Sequence, residues 1–107
     1  LALFRAAGVK LGFGTDLLGV SHGLQSEEFL IRAQVQTPLE VLQSATLIGA
    51  EILGQSGRLG EITPGARADL LLVDGNPLQD VSCLAGQGEG IALVMQGGQL
   101  RVNTWSL

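Results

Sequence analysis

The chain has no tyrosine, one tryptophan and three phenylalanines among 107 residues, and aromatics make up only 4% of it. A core built from this sequence is therefore aliphatic, drawn from Leu, Ile, Val and Ala. One cysteine, Cys83, excludes an internal disulfide framework and any Cys-rich zinc motif. It is expected as a packed core thiol, in keeping with a reducing, cytoplasmic compartment. Charged residues reach 15%, below the roughly 25% of ordinary globular domains. The six basic residues never cluster and the net charge is −4, which argues against nucleic-acid and anionic-membrane partners. No apolar run approaches the ~20 residues of a membrane span. The only methionine is Met95, so the chain is expected to be processed or part of a longer one. With so little charge, it is expected to bury, or to hide against a partner, more of its surface than a free monomer does.

What is present falls into two parts. Leu1–Ala7 reads as the end of an apolar helix closed by Gly8, and Val9–Phe13 as a short strand running into Gly14-Thr15-Asp16. Ser26 as N-cap, with Glu27 and Glu28 as first-turn dipole partners on a solvated face, starts a helix to about Val35. Thr37-Pro38-Leu39-Glu40 combines an N-cap Thr, proline at N1 and Glu at N3, a capping box. Val41, Ala45, Ile48 and Ile52 follow on one apolar face, and Gly54 is the stop.

From Gly57 the hydrophobic period changes to two. Arg58–Ile62 reads as a strand, and Thr63-Pro64-Gly65-Ala66 as a type II turn. Ala68–Val73 is a nearly continuous apolar strand whose two faces should both be covered. Ala85–Gly90 reads as a polar, glycine-rich loop. Ile91–Met95 and Leu100–Val102 flank a Gly97-Gly98 hairpin turn. The organisation is thus an α/β part up to about residue 54 and a small antiparallel β module over 55–107, short of strands for a closed sandwich.

Chemistry-bearing residues are few. Glycine-rich segments lack the spacing of a phosphate loop, and no Ser-His-Asp arrangement is recoverable. Asp16 stands out because it follows an apolar strand, and in parallel α/β barrels the catalytic groups sit at the C-terminal ends of strands. By position alone, an Asp there is ordinarily an Asx turn or a helix cap. A lone Asp and the single histidine, His22, cannot complete a catalytic metal site, which needs at least three protein ligands.

A longer pattern joins these pieces. Gly14-Thr15-Asp16-Leu17-Leu18-Gly19, His22, Gln25, Glu28-Phe29, Ile31-Arg32-Ala33, Thr37-Pro38-x-Glu40 and Ser44-Ala45-Thr46 occur in order. Ala50-Glu51-x-Leu53, Gly60-x-Ile62-x-Pro64-Gly65-x-x-Ala68-Asp69-Leu70, Val73-Asp74-Gly75-Asn76-Pro77-Leu78 and Val94-Met95-x-Gly97-Gly98 complete it. Taken together the sequence resembles the amidohydrolase superfamily, nearest to the imidazolonepropionase-like hydrolases that include Xaa-Pro dipeptidases (prolidases).

The resemblance implies an α/β fold: the last strand and following helices of a (β/α)8 barrel over residues 1–54, and the C-terminal strands of the adjoining composite β-sandwich over 55–107. It implies one or two divalent metals, usually zinc, in the complete enzyme, with Asp16 as both metal ligand and proton acceptor. His22 matches a histidine of the following loop, which helps bind substrate or serves the loop structurally. The family's HxH pair, bridging carboxylate and two further histidines are missing here, so this chain alone is expected neither to hold the metal nor to catalyse. The implied partners are a small-molecule substrate, the remainder of the barrel and a second copy in a homo-oligomer. The implied reaction is hydrolysis of a peptide-like amide, such as an Xaa-Pro dipeptide or an N-acyl amino acid. A cyclic-amide hydrolase or a deaminase is its chemical neighbour, and a non-catalytic interaction module is the reading from another class.

Overall fold

The computed structural model describes residues 1–105, with Val20 and His22 described by backbone alone. Four short α-helices and two 3-10 segments precede and flank a three-stranded antiparallel sheet. The helices are α1 (Ala2–Ala6), α2 (Glu28–Arg32), α3 (Pro38–Ala45) and α4 (Leu47–Ile52); the 3-10 segments are Gly19–Glu27 and Val81–Leu84. The strands are β1 (Leu70–Val73), β2 (Ile91–Gln96) and β3 (Gln99–Asn103), in the order β1-β2-β3.

The ends of α1 and α4 and the start of α3 form where the sequence places them. Gly8 has φ +75°, and the N–H groups of Gly8 and Val9 reach back to the carbonyls of Arg5 and Phe4, satisfying the last carbonyls of α1. Gly54, at φ +68°, ends α4 in the same way through Glu51 and Ala50. The capping box is complete: Thr37 Oγ1 accepts from the Glu40 N–H at 3.2 Å, and Glu40 Oε1 accepts from the Thr37 N–H at 3.3 Å. Glu40 also takes a two-pronged hydrogen bond from Arg5, both contacts at 2.8 Å, which ties α3 to α1. These bonds hold its carboxyl down at about 2, with Arg5 the larger cause and the Thr37 N–H the next.

Other expectations are corrected. The single helix expected from Thr37 to Gly54 breaks at Thr46, whose φ and ψ are −122° and −85°. Its hydroxyl donates to the Leu42 carbonyl at 2.6 Å, a back-bond that competes with the helical ladder and bends it. Gly60 fits against the Thr46 carbonyl at this break, in a space a Cβ would fill. The helix expected from Ser26 to Val35 shrinks to Glu28–Arg32. Ser26 does not cap it; its hydroxyl accepts from the Gln87 N–H at 2.9 Å.

The expected strand Val9–Phe13 has no ladder partner among the described residues and is not assigned as one. Arg58–Ile62 is likewise turn and loop, with only an isolated bridge between Ser56 and Leu59. A strand is defined by its neighbours, and apolar alternation alone supplies none.

The hairpin and the type II turn are as expected. Gly97 and Gly98 both have positive φ, as a two-residue hairpin turn requires. Gly65 sits at φ +87° with the Ala66 N–H bonded to the Thr63 carbonyl. Asp69 Oδ1 accepts from the Gly97 N–H at 2.8 Å, anchoring the hairpin turn beside the start of β1.

The buried apolar centre consists of Val41, Ala50, Val81 and Leu84. Asp80 caps the second 3-10 segment through the Ser82 N–H at 2.9 Å, and that segment lays Val81 and Leu84 against α2 and α3. Cys83 is half-buried, its Sγ 3.2 Å from the Asp80 carbonyl, rather than in the core. Elsewhere large apolar side chains are open to solvent, including Leu3 at 85% and Ile62 at 89% exposure. β1, expected to be covered on both faces, keeps Leu71 at 54% exposure, because the described residues supply one sheet and no second layer over it. No helix among the described residues is long and apolar enough to cross a membrane.

Candidate active site

Asp16 lies in an exposed turn after Phe13, with its backbone in the left-handed region at φ +56°. A non-glycine residue there is uncommon, and Asp tolerates it better than most side chains. Thr15 Oγ1 accepts from the Leu17 N–H at 3.4 Å, so the residues on either side of Asp16 are bonded to each other. The Asp16 carboxylate takes no part in that bond, so the cap-like Asx role is filled by its neighbour.

The turn is held from one side by an aromatic and ionic stack. The Phe13 ring lies 4.7 Å from Phe29, centroid to centroid, tilted by 35°. The Arg32 guanidinium sits over the same Phe13 ring at 5.4 Å, and its Nε donates to Glu28 Oε1 at 2.9 Å. Glu28 was expected on a solvated face; its side chain is instead only 15% exposed and that of Arg32 only 9%. The i,i+4 spacing of Glu28 and Arg32 was the available signal for this pair.

A cavity of about 430 Å³ adjoins the turn, with Phe13, Gly14, Thr15, Gln25, Ser26 and Gln87 among its lining residues. The backbone places His22 in the 3-10 segment that follows Asp16. The side chain of His22 lies outside the described residues.

Among the described residues no group of three or more His, Cys, Asp or Glu side chains could hold a metal ion. The described donors therefore do not fit a self-contained metal centre, and one carboxylate, Asp16, is what the turn offers.

Residues 2–100 match the amidohydrolase family. The chain belongs to that family. It is similar to a crystal structure of an amidohydrolase, 59% identical with a TM-score of 0.92, over 94% of this chain and 24% of that one. It is also similar to a prolidase crystallised with N-methylphosphonate-L-proline, 50% identical with a TM-score of 0.90, over 94% of this chain and 25% of that one. Imidazolonepropionase from Deinococcus radiodurans is 32% identical over 98 residues, which is 88% of this chain and 24% of that protein. The chain thus spans about a quarter of the length of these three relatives. The imidazolonepropionase-like and prolidase-like character read from the motifs agrees with these similarities.

Proposed function

We propose that the chain is part of a metal-dependent amidohydrolase that cleaves an amide C–N bond in a small peptide-like substrate, an Xaa-Pro dipeptide or an N-acyl amino acid. The observation that carries this reading is the similarity, at 50% identity over 94% of the chain, to the prolidase with the proline phosphonate bound. Residues 1–54 form the end of its barrel and 55–107 a share of its β-sandwich. One or two divalent cations, zinc by the family resemblance, belong to the complete protein, with Asp16 as one ligand and the others outside the described residues.

Asp16 is the proton-handling carboxylate: it accepts a proton from the attacking water and returns it to the departing amine, so water is consumed and a carboxylic acid and an amine result. Its exposed, left-handed turn leaves the carboxylate free for that work. The family resemblance makes His22, six residues on, the residue to test for substrate binding beside a structural role in the loop. The likeness to imidazolonepropionase supports a cyclic amide as the second substrate class.

The test is the full-length protein assayed against Xaa-Pro dipeptides, N-acyl amino acids and a cyclic amide, beside its Asp16→Asn variant. Dipeptide hydrolysis that falls about 10²–10⁴-fold in kcat in the variant is expected, the usual weight of general acid–base catalysis. Unchanged turnover removes Asp16 from the chemistry. Absence of hydrolysis across the panel favours the non-catalytic interaction module.

A further inference from the structure

We propose that Arg32 is a positioning residue for the Asp16 turn, acting through Phe13; this rests on the catalytic reading of Asp16 given above. Arg32 is 7% exposed, and a guanidinium in so dry a place is costly unless fully paired. It is not fully paired: Nε bonds Glu28 Oε1 at 2.9 Å, while Nη1 is buried with no hydrogen-bond partner among the described residues. A buried ion pair of this kind is often no more stabilising than apolar side chains of the same size. Packing alone would thus be served as well by methionine.

What the arginine adds is a flat, rigid cation over the Phe13 ring at 5.4 Å, with Phe29 against the same ring at 4.7 Å. The charge attracts the ring face, and the fork bonded to Glu28 fixes the cation's direction. Phe13 is therefore gripped from helix α2 by Phe29 and Arg32. Three residues later comes Asp16, in the left-handed backbone region that is uncommon for a non-glycine residue. Gly14 has open space where a Cβ would stand, and among the described residues the bond within the turn is the long 3.4 Å contact from the Leu17 N–H to Thr15. The turn's own bonding is slight, so its anchorage comes from Phe13 and hence from Arg32.

The test uses full-length protein carrying Arg32→Met, Arg32→Lys or Glu28→Gln. Arg32→Met fills the same volume and is expected to keep the thermal midpoint near that of the parent. It should lower kcat about 10–100-fold with KM within about threefold, as misplacement by about an ångström does. Arg32→Lys, which keeps charge but not the planar fork, should fall between, and Glu28→Gln should follow Arg32→Met in direction. Hydrogen exchange of the 13–18 peptide should quicken in Arg32→Met at least about tenfold while the peptide covering α3 is unchanged.

A retained kcat in a protein that hydrolyses the parent substrate overturns the inference, as does unchanged exchange over 13–18. If the parent protein hydrolyses nothing in the panel, the catalytic reading of Asp16 fails instead, and the exchange measurement still decides what Arg32 holds.

Discussion

The helical and sheet parts of this chain are stabilised in opposite ways. Helices α1, α3 and α4 carry local chemistry, in two glycine-terminated helix ends and a capping box, and the longer-range Arg5–Glu40 pair ties α1 to α3. The sheet is defined by its ladder, with Leu70 opposite Met95 and Val94 opposite Val102, while Leu70, Leu71, Leu100 and Val102 remain exposed and the apolar residues of β2 are half-buried. What joins the parts is the short 3-10 segment Val81–Leu84, whose Val81 and Leu84 complete the core under α2 and α3. The second half of the chain thus supplies half the core residues of the first. The lesson is that a capping box and a helix-ending glycine mark the ends they occupy, whereas an apolar strand acquires meaning only from what covers it.

The largest expected effect tests that joint. Val81→Asp places an unpaired carboxylate in a site 2% exposed, which should cost about 4 kcal/mol or prevent folding, measured by urea denaturation. Leu71→Asp in β1, at 54% exposure, should cost within about 0.5 kcal/mol in the chain as described. Repeating Leu71→Asp in the full-length protein sharpens the contrast: a loss of several kcal/mol there means that further residues cover the strand. Equal costs for Val81→Asp and Leu71→Asp in the 107-residue chain would break the comparison.

How far the sequence foretold this arrangement follows the same division. Pro38, Thr37 and Glu40 announce α3 because a capping box acts within four residues, and Gly8 and Gly54 announce helix ends because only glycine takes a left-handed turn without strain. The break at Thr46 was not read from the sequence, since a threonine within a helical pattern does not announce whether its hydroxyl will bond back to the carbonyl four residues earlier, as it does to Leu42. Val9–Phe13 and Arg58–Ile62 read as strands by pattern but find no ladder among the described residues. At the candidate site, Asp16 was legible from its place after an apolar segment and from the family motifs. Its left-handed backbone, the stacking on Phe13 and the burial of Glu28 were not, because each depends on contacts between elements.

The next effect in size probes the helix break. Gly60 has φ +81°, and an added Cβ would overlap the Thr46 carbonyl and press on Ala50. Gly60→Ala should therefore destabilise by about 3 kcal/mol, from backbone strain of about 1–2 kcal/mol together with overpacking. Gly57→Ala is the control, because Gly57 also has positive φ but open space at its Cβ. It should show the strain alone, about 1 kcal/mol. Equal losses at the two sites would mean that the approach to Thr46 adds nothing to stability.

The smallest effect concerns the tie between α1 and α3, and its sign follows from the Glu40 carboxyl. That group is held at about 2, below its ordinary 4.5, by Arg5 first and by the Thr37 N–H second. A carboxyl depressed in the folded state binds fewer protons there than in the unfolded chain. Its stabilising contribution is thus present in full above pH 4.5 and is lost as pH falls from 4.5 through about 2. Glu40→Gln cannot titrate, so the gap between its thermal midpoint and that of the parent should be constant from pH 5 to 7 and narrow steadily below that. Because the pair lies at the surface, raising the salt to about 1 M should shrink the gap as screening shortens to about 3 Å. A gap that stays constant down to pH 2 would show that neither Arg5 nor the Thr37 N–H favours the ionised Glu40 carboxyl.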